Sequence, residues 1–328
     1  MSVRPRVTRV EQALGLLPLL VFIALIVLFS ALSPKFASIE NFRNILLQSS
    51  HLMILALGMG FVLLVGGVDL SVGATMYLAA VVVGLFLPSA PIWMLLLAAM
   101  GVGALIGGIN AFFIVRVRVA AFIVTLATMF VARGAGLFKS DTKMVFASDN
   151  LLAFGQATFL GVPLPILLAA ALFLFAHVLL KHTPFGREVY AVGSDAEAGR
   201  RAGINVNRIL VLLFILCAVF AALAGTLLMG QIAAAASTFG EGKEFLCIAA
   251  AVLGGTSLFG GRGSAVGQVS GAILIQTVQN GLVMVNADPY LYPLVTASVI
   301  FFAVLVDTLR SRVARRHGLR KIRVEDVR

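Results

Sequence analysis

The residues able to carry chemistry are few and dispersed. His51, His177, His182 and His317 share no spacing that would gather them round a metal. No Ser/His/Asp or paired-carboxylate arrangement stands out, so an enzyme embedded in a membrane is not indicated. The G-x-x-x-x-G-K-[ST] loop that cradles nucleotide phosphates is absent. If ATP drives this chain, another chain holds it, and neither a metal nor a cofactor is expected here. One carboxylate is set apart. Asp69 lies between two apolar runs, where a charge costs roughly 2.5–3.5 kcal/mol on insertion scales. Ionisable groups so placed usually serve a pathway; the alternative is a cap on the third span at a wetted cytoplasmic boundary. Asn110, Thr125, Gln276, Gln279 and Asn280 offer the weak hydrogen bonds a polar solute needs in order to bind and leave. Gln276 and Asn280 share a helix face at i, i+4. The same groups serve equally to tie helices together, at about 0.6 kcal/mol per bond.

These residues must be positioned by long apolar elements. Hydrophobic residues make up 60% of the 328, charged residues 12%, and the mean hydropathy is +1.05. A water-soluble surface cannot be built from that material. Continuous apolar runs, rather than short alternating ones, exclude a barrel. The expected fold is all-α: a polytopic helical membrane protein with about ten spans. Their expected positions are 13–32, 45–66, 70–87, 92–115, 119–138, 163–180, 208–231, 244–260, 265–285 and 291–309. The run from Ala13 to Leu32 is too long for a signal-peptide core of roughly 7–15 residues and is read as a retained first span. Residues 1–328 form one transmembrane domain, with 13–309 in the membrane and a basic cytoplasmic tail over 310–328. Cys217 and Cys247 lie inside apolar runs and imply no disulfide framework.

The net charge of +11 reads as topology. With ten spans, nineteen Lys and Arg fall on one side and Lys35, Arg43, Lys139, Lys143 and Lys243 on the other, so both termini are placed in the cytoplasm. Only Arg133 falls inside a span, near its outer end, from where it can snorkel to the interface. Glu241, Lys243 and Glu244 flank the eighth span outside, either solvated or touching a partner. No basic stretch interleaved with aromatics suggests nucleic acid; membrane lipid is the expected surrounding.

Glycine interrupts this pattern twice, in Gly66-Gly67-Val68-Asp69-Leu70-Ser71-Val72-Gly73 and in Gly254-Gly255-Thr256-Ser257-Leu258-Phe259-Gly260-Gly261-Arg262-Gly263. Both begin Gly-Gly with Leu three residues on, a spacing that suggests an internal repeat built on broken helices. Gly103-x-x-x-Gly107 and Gly267-x-x-x-Gly271 are spaced for close helix packing. Residues 185–206, FGREVYAVGSDAEAGRRAGINV, form a polar interlude between apolar stretches. Ser194 and Glu197 are spaced as a capping box, Asp195 suits the first turn, Arg200 and Arg201 the last, and Gly203 can close the helix in the left-handed conformation. A short helix over about 195–202 is predicted, either a plain connector or a surface pushed by another protein.

That interlude resembles the cytoplasmic coupling loop of bacterial sugar permeases of the ribose, xylose and arabinose ABC importer family. GGVDLSVGA, GGINAFFIVRVRVAAFIVTLATMFVARG and LGGTSLFGGRGSAVG resemble the same family's second-to-third, fourth-to-fifth and eighth-to-ninth span regions, in the same order, and the likeness covers essentially the whole chain. The chain departs from the family at Asn110-Ala111, where Asn-Gly is frequent, at Ala121-Phe122, where Pro often precedes Phe, and at Ser194-Asp195, where Gly-Asn is frequent. The resemblance implies a permease of the bacterial inner membrane. Two copies, or one copy with a paralogue, form the pore; separate ATPase subunits dock at the coupling helix; a periplasmic binding protein delivers the sugar. It places the coupling role on Gly193, Ser194, Asp195, Glu197, Ala198, Arg201 and Gly203. Branched-chain amino acid permeases look different at the GGVDLSVG block, which points to a sugar or polyol cargo. The rival reading, an ion-coupled secondary transporter, would need intramembrane carboxylates, for which only Asp69 and Asp307 are available.

Overall fold

A computed structural model describes residues 22–295 together with 297, 298, 301 and 305. The described residues are mostly helical, with almost no sheet. In order it forms α1 (Phe22–Leu32), α2 (Ile39–Leu63), α3 (Val72–Phe86), α4 (Ile92–Ala111), α5 (Ala121–Ser140), α6 (Asp149–Gln156), α7 (Leu164–His182), α8 (Pro184–Ser194), α9 (Ala196–Arg201), α10 (Val206–Ile232), α11 (Lys243–Leu253) and α12 (Ala265–Met284). Two-residue strands pair as β1 (Val145–Phe146) with β4 (Ala234–Ala235) and as β2 (Thr158–Phe159) with β3 (Val162–Pro163), both antiparallel. The expected spans at 13–32 and 291–309 lie partly outside the described residues, and Asp307 and the 310–328 tail wholly outside them.

Among the described residues, five helices are long and apolar enough to cross a membrane: α2, α4 with its π-helical continuation to Arg116, α5, α7 and α10. The expected span at 244–260 is cut short. Helix α11 stops at Leu253, because Gly255 takes a φ of +86° and turns the chain out of the helix. Leu258 and Phe259 keep the window apolar across the turn, which is why hydropathy alone overruns it. The helix expected at 195–202 is in fact the second of a pair, since residues 184–194 are helical as well.

The chain divides into two compact units, residues 43–273 and residues 1–42 with 274–328. In the larger unit α10 is the central element, packed chiefly on α4 and α3, with α5 against α3. About two thirds of the apolar window of α10 is buried by protein, against about a quarter for α4, α5 and α7, which leaves those three faces to lipid or to a partner. Small residues set the approach of α4 to α10. A Cβ on Gly103 would lie 2.5 Å from the Ala218 carbonyl oxygen, and one on Gly107 2.6 Å from Ile215 Cα. A Cβ on Gly225 would overlap the Met76 carbonyl, which seats α10 on α3. Phe61 and Phe220 meet edge to face at 5.5 Å. In the smaller unit Phe29, Phe36 and Phe42 form a chain of ring contacts, and Gly281 of α12 lies flat against the Phe29 ring.

Replacing Gly103 with Leu therefore forces α4 away from α10 and costs about 1–3 kcal/mol of overpacking. The expected result is a clearly lower thermal midpoint in detergent. Gly101→Ala, at a helical glycine with open space around it, leaves the midpoint unchanged or raises it slightly.

Candidate functional site

The polar interlude folds into two short helices with well-formed ends. Thr183 caps α8, its Oγ1 accepting from the Gly186 N–H at 3.2 Å and donating to the Leu179 carbonyl at 2.6 Å, and Pro184 follows at the position where a missing N–H is harmless. The residue that caps α9 is Asp195. Its Oδ1 accepts from the N–H groups of Glu197 and Ala198 at 2.9 and 3.0 Å. Ser194 is instead the last residue of α8 and donates its hydroxyl to the Tyr190 carbonyl, so the Ser194–Glu197 capping box does not form. Glu197 pairs with Arg200. At the far end, Gly203 N–H bonds to the Arg200 carbonyl and Ile204 N–H to the Gly199 carbonyl, each at 3.0 Å, with Gly203 at φ +85°. That is a complete Schellman ending.

The two faces of this pair differ. Gly186, Val189, Val192 and Gly199 are buried against the protein. Ser194, Asp195, Glu197, Ala198, Arg201 and Gly203 are exposed. Gly193, the seventh coupling candidate, points inward: a Cβ there would overlap the Leu64 carbonyl oxygen and lie 2.7 Å from the Gly261 nitrogen. The Tyr190 hydroxyl donates to the Gly263 carbonyl at 2.9 Å, and half-burial raises its pKa. Sequence reasoning missed Tyr190 and the glycines at 260, 261 and 263 as parts of this site. Their signal was the density of glycine in 260–263, which marks backbone that must approach other backbone closely.

Both glycine breaks reach this place. Helix α2 ends with Gly66 N–H on the Leu63 carbonyl and Gly67 N–H on the Val62 carbonyl, with Gly66 at φ +73°. Helix α11 ends with Gly255 N–H on the Val252 carbonyl and Thr256 N–H on the Ala251 carbonyl. The two endings are alike, but Gly66 corresponds to Gly255. The Gly-Gly alignment suggested by sequence is thus out of register by one residue.

The loop after α2 is organised by Asp69, which is fully buried. Asp69 Oδ1 accepts from the Ser71 N–H at 2.9 Å and the Ser71 hydroxyl at 2.6 Å. Asn110 Nδ2 donates to Ser71 Oγ at 3.0 Å and reaches Asp69 Oδ2 at 3.4 Å. The Thr125 hydroxyl stands 3.4 Å from the Val68 carbonyl. Three of the six pathway candidates, Asp69, Asn110 and Thr125, therefore converge on one loop and tie α4 and α5 to the start of α3. In place of the expected cap at a wetted boundary, Asp69 is buried and closes an Asx-turn with Ser71. In the smaller unit, Asn280 Oδ1 accepts from Asn41 Nδ2 at 3.0 Å, a bond between α12 and α2; Gln276 is buried and Gln279 half-buried.

Arg133 stacks 5.0 Å over the Tyr77 ring and donates to the carbonyls of Ser237 and Phe239 at 3.0 and 2.6 Å, holding the loop after α10 against α5. Of the acidic and basic residues around the start of α11, Glu241 is exposed, Lys243 meets His51 Nε2 at 3.3 Å, and Glu244 is buried. Among the described residues no group of three His, Cys, Asp or Glu could hold a metal ion.

Residues 41–308 match the family model described as the permease component of the branched-chain amino acid transport system. The chain is 40% identical to the ribose import permease of Escherichia coli strain K12 over 89% of its own length and 92% of that protein's. It is 35% identical to the fructose import permease of Rhizobium meliloti, over 90% of this chain and 86% of that one. It is 33% identical to the galactose/methyl galactoside import permease of Haemophilus influenzae, over 88% and 93%. No solved structure matches the chain. A core of glycine-tight apolar helices, a capped polar helix pair seated on two glycine loops, and matches over nearly the full length of three sugar import permeases lead to one assignment: the chain belongs to this family of transport-system permeases, as one of its helical membrane proteins.

Proposed function

We propose that this chain is the membrane-spanning subunit of an ATP-binding-cassette importer for a monosaccharide or related polyol. The observation that carries the reading is the α8–α9 pair: an exposed face of Ser194, Asp195, Glu197, Ala198, Arg201 and Gly203, held rigid by an Asp cap and a Schellman ending, on an otherwise apolar chain. Pre-organisation of this kind lowers the cost of docking. The likeness to ribose, galactose and fructose import permeases supports the cargo class. In this proposal separate ATPase subunits dock on α8–α9 from the cytoplasm. A periplasmic binding protein delivers the solute to the opposite end. A second copy or a paralogue covers the apolar faces of the peripheral helices that lipid does not. The full count is about ten spans with both termini in the cytoplasm. Asp69, Asn110, Thr125, Gln276, Gln279 and Asn280 stand near the pathway, the first three as the frame of its cytoplasmic end.

Reversing the charges on the exposed face tests the docking assignment. The double variant Glu197→Lys, Arg201→Glu should lose co-purification with the ATPase subunit and cut solute uptake about tenfold or more, since like charges across an interface cost several kcal/mol. Both residues are exposed, so the thermal midpoint should hold. Undiminished uptake in that variant sinks the assignment. A second measurement separates ATP drive from ion drive. In vesicles at constant ATP, an ionophore should leave uptake intact. Asp69→Asn should lower the thermal midpoint, because the amide turns a donor toward Asn110 and leaves a buried group unmatched at about 1–3 kcal/mol. Whatever uptake the Asn variant keeps should stay ionophore-resistant. Abolition of uptake by the ionophore would favour the ion-coupled alternative.

A further inference from the structure

We infer that Tyr190, together with the glycine contacts around Gly193, forms a stiff two-way joint that passes motion of α8 to both broken segments at once. The inference rests on the importer reading above. It concerns the inward side of the helix pair, where the docking face is not.

The contacts of α8 with the two glycine loops sit in its last turn. The Tyr190 hydroxyl holds the Gly263 carbonyl. Gly193 presses its backbone onto the Leu64 carbonyl, so closely that no side chain fits. A Cβ on Gly260 would lie 2.8 Å from the Gly193 carbonyl and 2.9 Å from the Gly66 nitrogen, and one on Gly261 2.8 Å from the Ser194 hydroxyl. The two loops are also bonded to each other, Gly261 N–H to the Leu64 carbonyl at 2.8 Å. Neither loop can follow α8 without the other.

The contact is mostly backbone on backbone. Flexible side chains would absorb a small displacement by changing rotamer; peptide units have no such freedom. Each loop is also a hinge by position. The first separates α2 from α3, the second α11 from α12, and each follows the same glycine-ended turn. Downstream, the first loop leads to Asp69, Ser71, Asn110 and Thr125 and so to α3, α4 and α5. The second leads through the Thr256 hydroxyl, 3.3 Å from Gln268 Nε2, to α12; Gln268 in turn fills the space beside Gly60 of α2. Tyr190 is thus a positioning residue, acting through the Gly263 carbonyl to keep the push directed into both hinges.

The test compares two tyrosines that each lose one hydrogen bond on change to phenylalanine. Tyr190→Phe removes the bond to Gly263; Tyr77→Phe removes the one to Ser140 at 3.0 Å, which joins α3 to α5 and is no part of the contact between α8 and the glycine loops. Each variant is reconstituted in proteoliposomes with its ATPase subunits and binding protein, and uptake of radiolabelled ribose, galactose and fructose is measured beside ATP hydrolysis. Tyr190→Phe should still co-purify with the ATPase subunit, while solute moved per ATP falls at least threefold. Tyr77→Phe should lose comparable thermal stability and keep the ratio of the unmodified protein. An unchanged ratio in Tyr190→Phe, or an equal fall in both variants, overturns the joint. Failure of the unmodified chain to bind any ATPase subunit would instead remove the importer reading itself.

Discussion

A helix that stops inside apolar surroundings leaves its last carbonyls and amides without water, and every such stop must be repaired by the protein itself. The architecture of this chain follows from where those repairs are made. At Leu63 and at Leu253 the repair is the same: a glycine in the left-handed conformation returns two N–H groups to the closing turn. What the repair does not cover is the polar loop beyond it. That loop needs its own partners, and the buried set of Asp69, Ser71 and Asn110 supplies them for the first break. The carboxylate that stands out in the sequence is therefore first an organiser of backbone. Its two oxygens satisfy donors on its own loop and reach a donor on α4, which is what lets an acidic side chain persist where it is fully buried.

The same constraint explains why the polar helix pair sits where it does. Two repaired loops expose carbonyls and amides on one side, and the Leu64 carbonyl and Gly261 amide answer each other. A third strand of backbone fits against them only if it carries no side chain at the contact, which Gly193 satisfies. The amphipathic face of α8 then lays Val189 and Val192 on the protein and leaves the charged face outward. The exposed face of the pair and the glycine loops are thus separated by the thickness of one helix. The outside presents side chains, while the inside is held largely through the main chain.

The bulk of the fold was legible because it is written in composition. Sixty percent apolar content and long unbroken runs leave helices as the only economical answer. The small-residue spacings at Gly103-Gly107 and Gly267-Gly271 read correctly as close crossings, against Ala218 and Ile215 in one case and Ala250 and Gly254 in the other. The misreadings share a cause. Hydropathy averages over a window, so the apolar run carries past Gly255 into Leu258 and Phe259. Spacing alone matches a capping box at Ser194, though Asp195 can cap equally well. Which one does is decided by α8, whose last turn claims the Ser194 hydroxyl; Thr183-Pro184 is the local signal for the start of α8. For Arg133, nothing local in the sequence shows that the carbonyls of Ser237 and Phe239 come within its reach. The Asp69 cluster was half visible: its members were singled out one by one as polar groups in apolar runs, but that Asp69, Asn110 and Thr125 converge is a fact of helix packing, which spacing does not encode.

Stiffness at the joint raises the question of how the helices beyond it move at all. Close-packed interiors resist continuous deformation, because interlocked side chains must leave and re-enter their holes. The crossings that adjoin the two hinges avoid that interlocking. Gly103 and Gly107 give α4 a flat stripe against α10, Gly225 does the same between α10 and α3, and Gly267 and Gly271 between α12 and α11. Along such a stripe the opposing surface is backbone and Cα, with no ridge to climb, so a small slide costs contact area gradually instead of breaking a lock. The helices that follow each hinge, α3 and α12, each rest on one of these smooth faces. For the proposed joint, rigid transfer at the loops and smooth crossings next to them would be complementary. Both features rest on the same residue type, in one place because glycine permits a positive φ and in the other because it has no side chain.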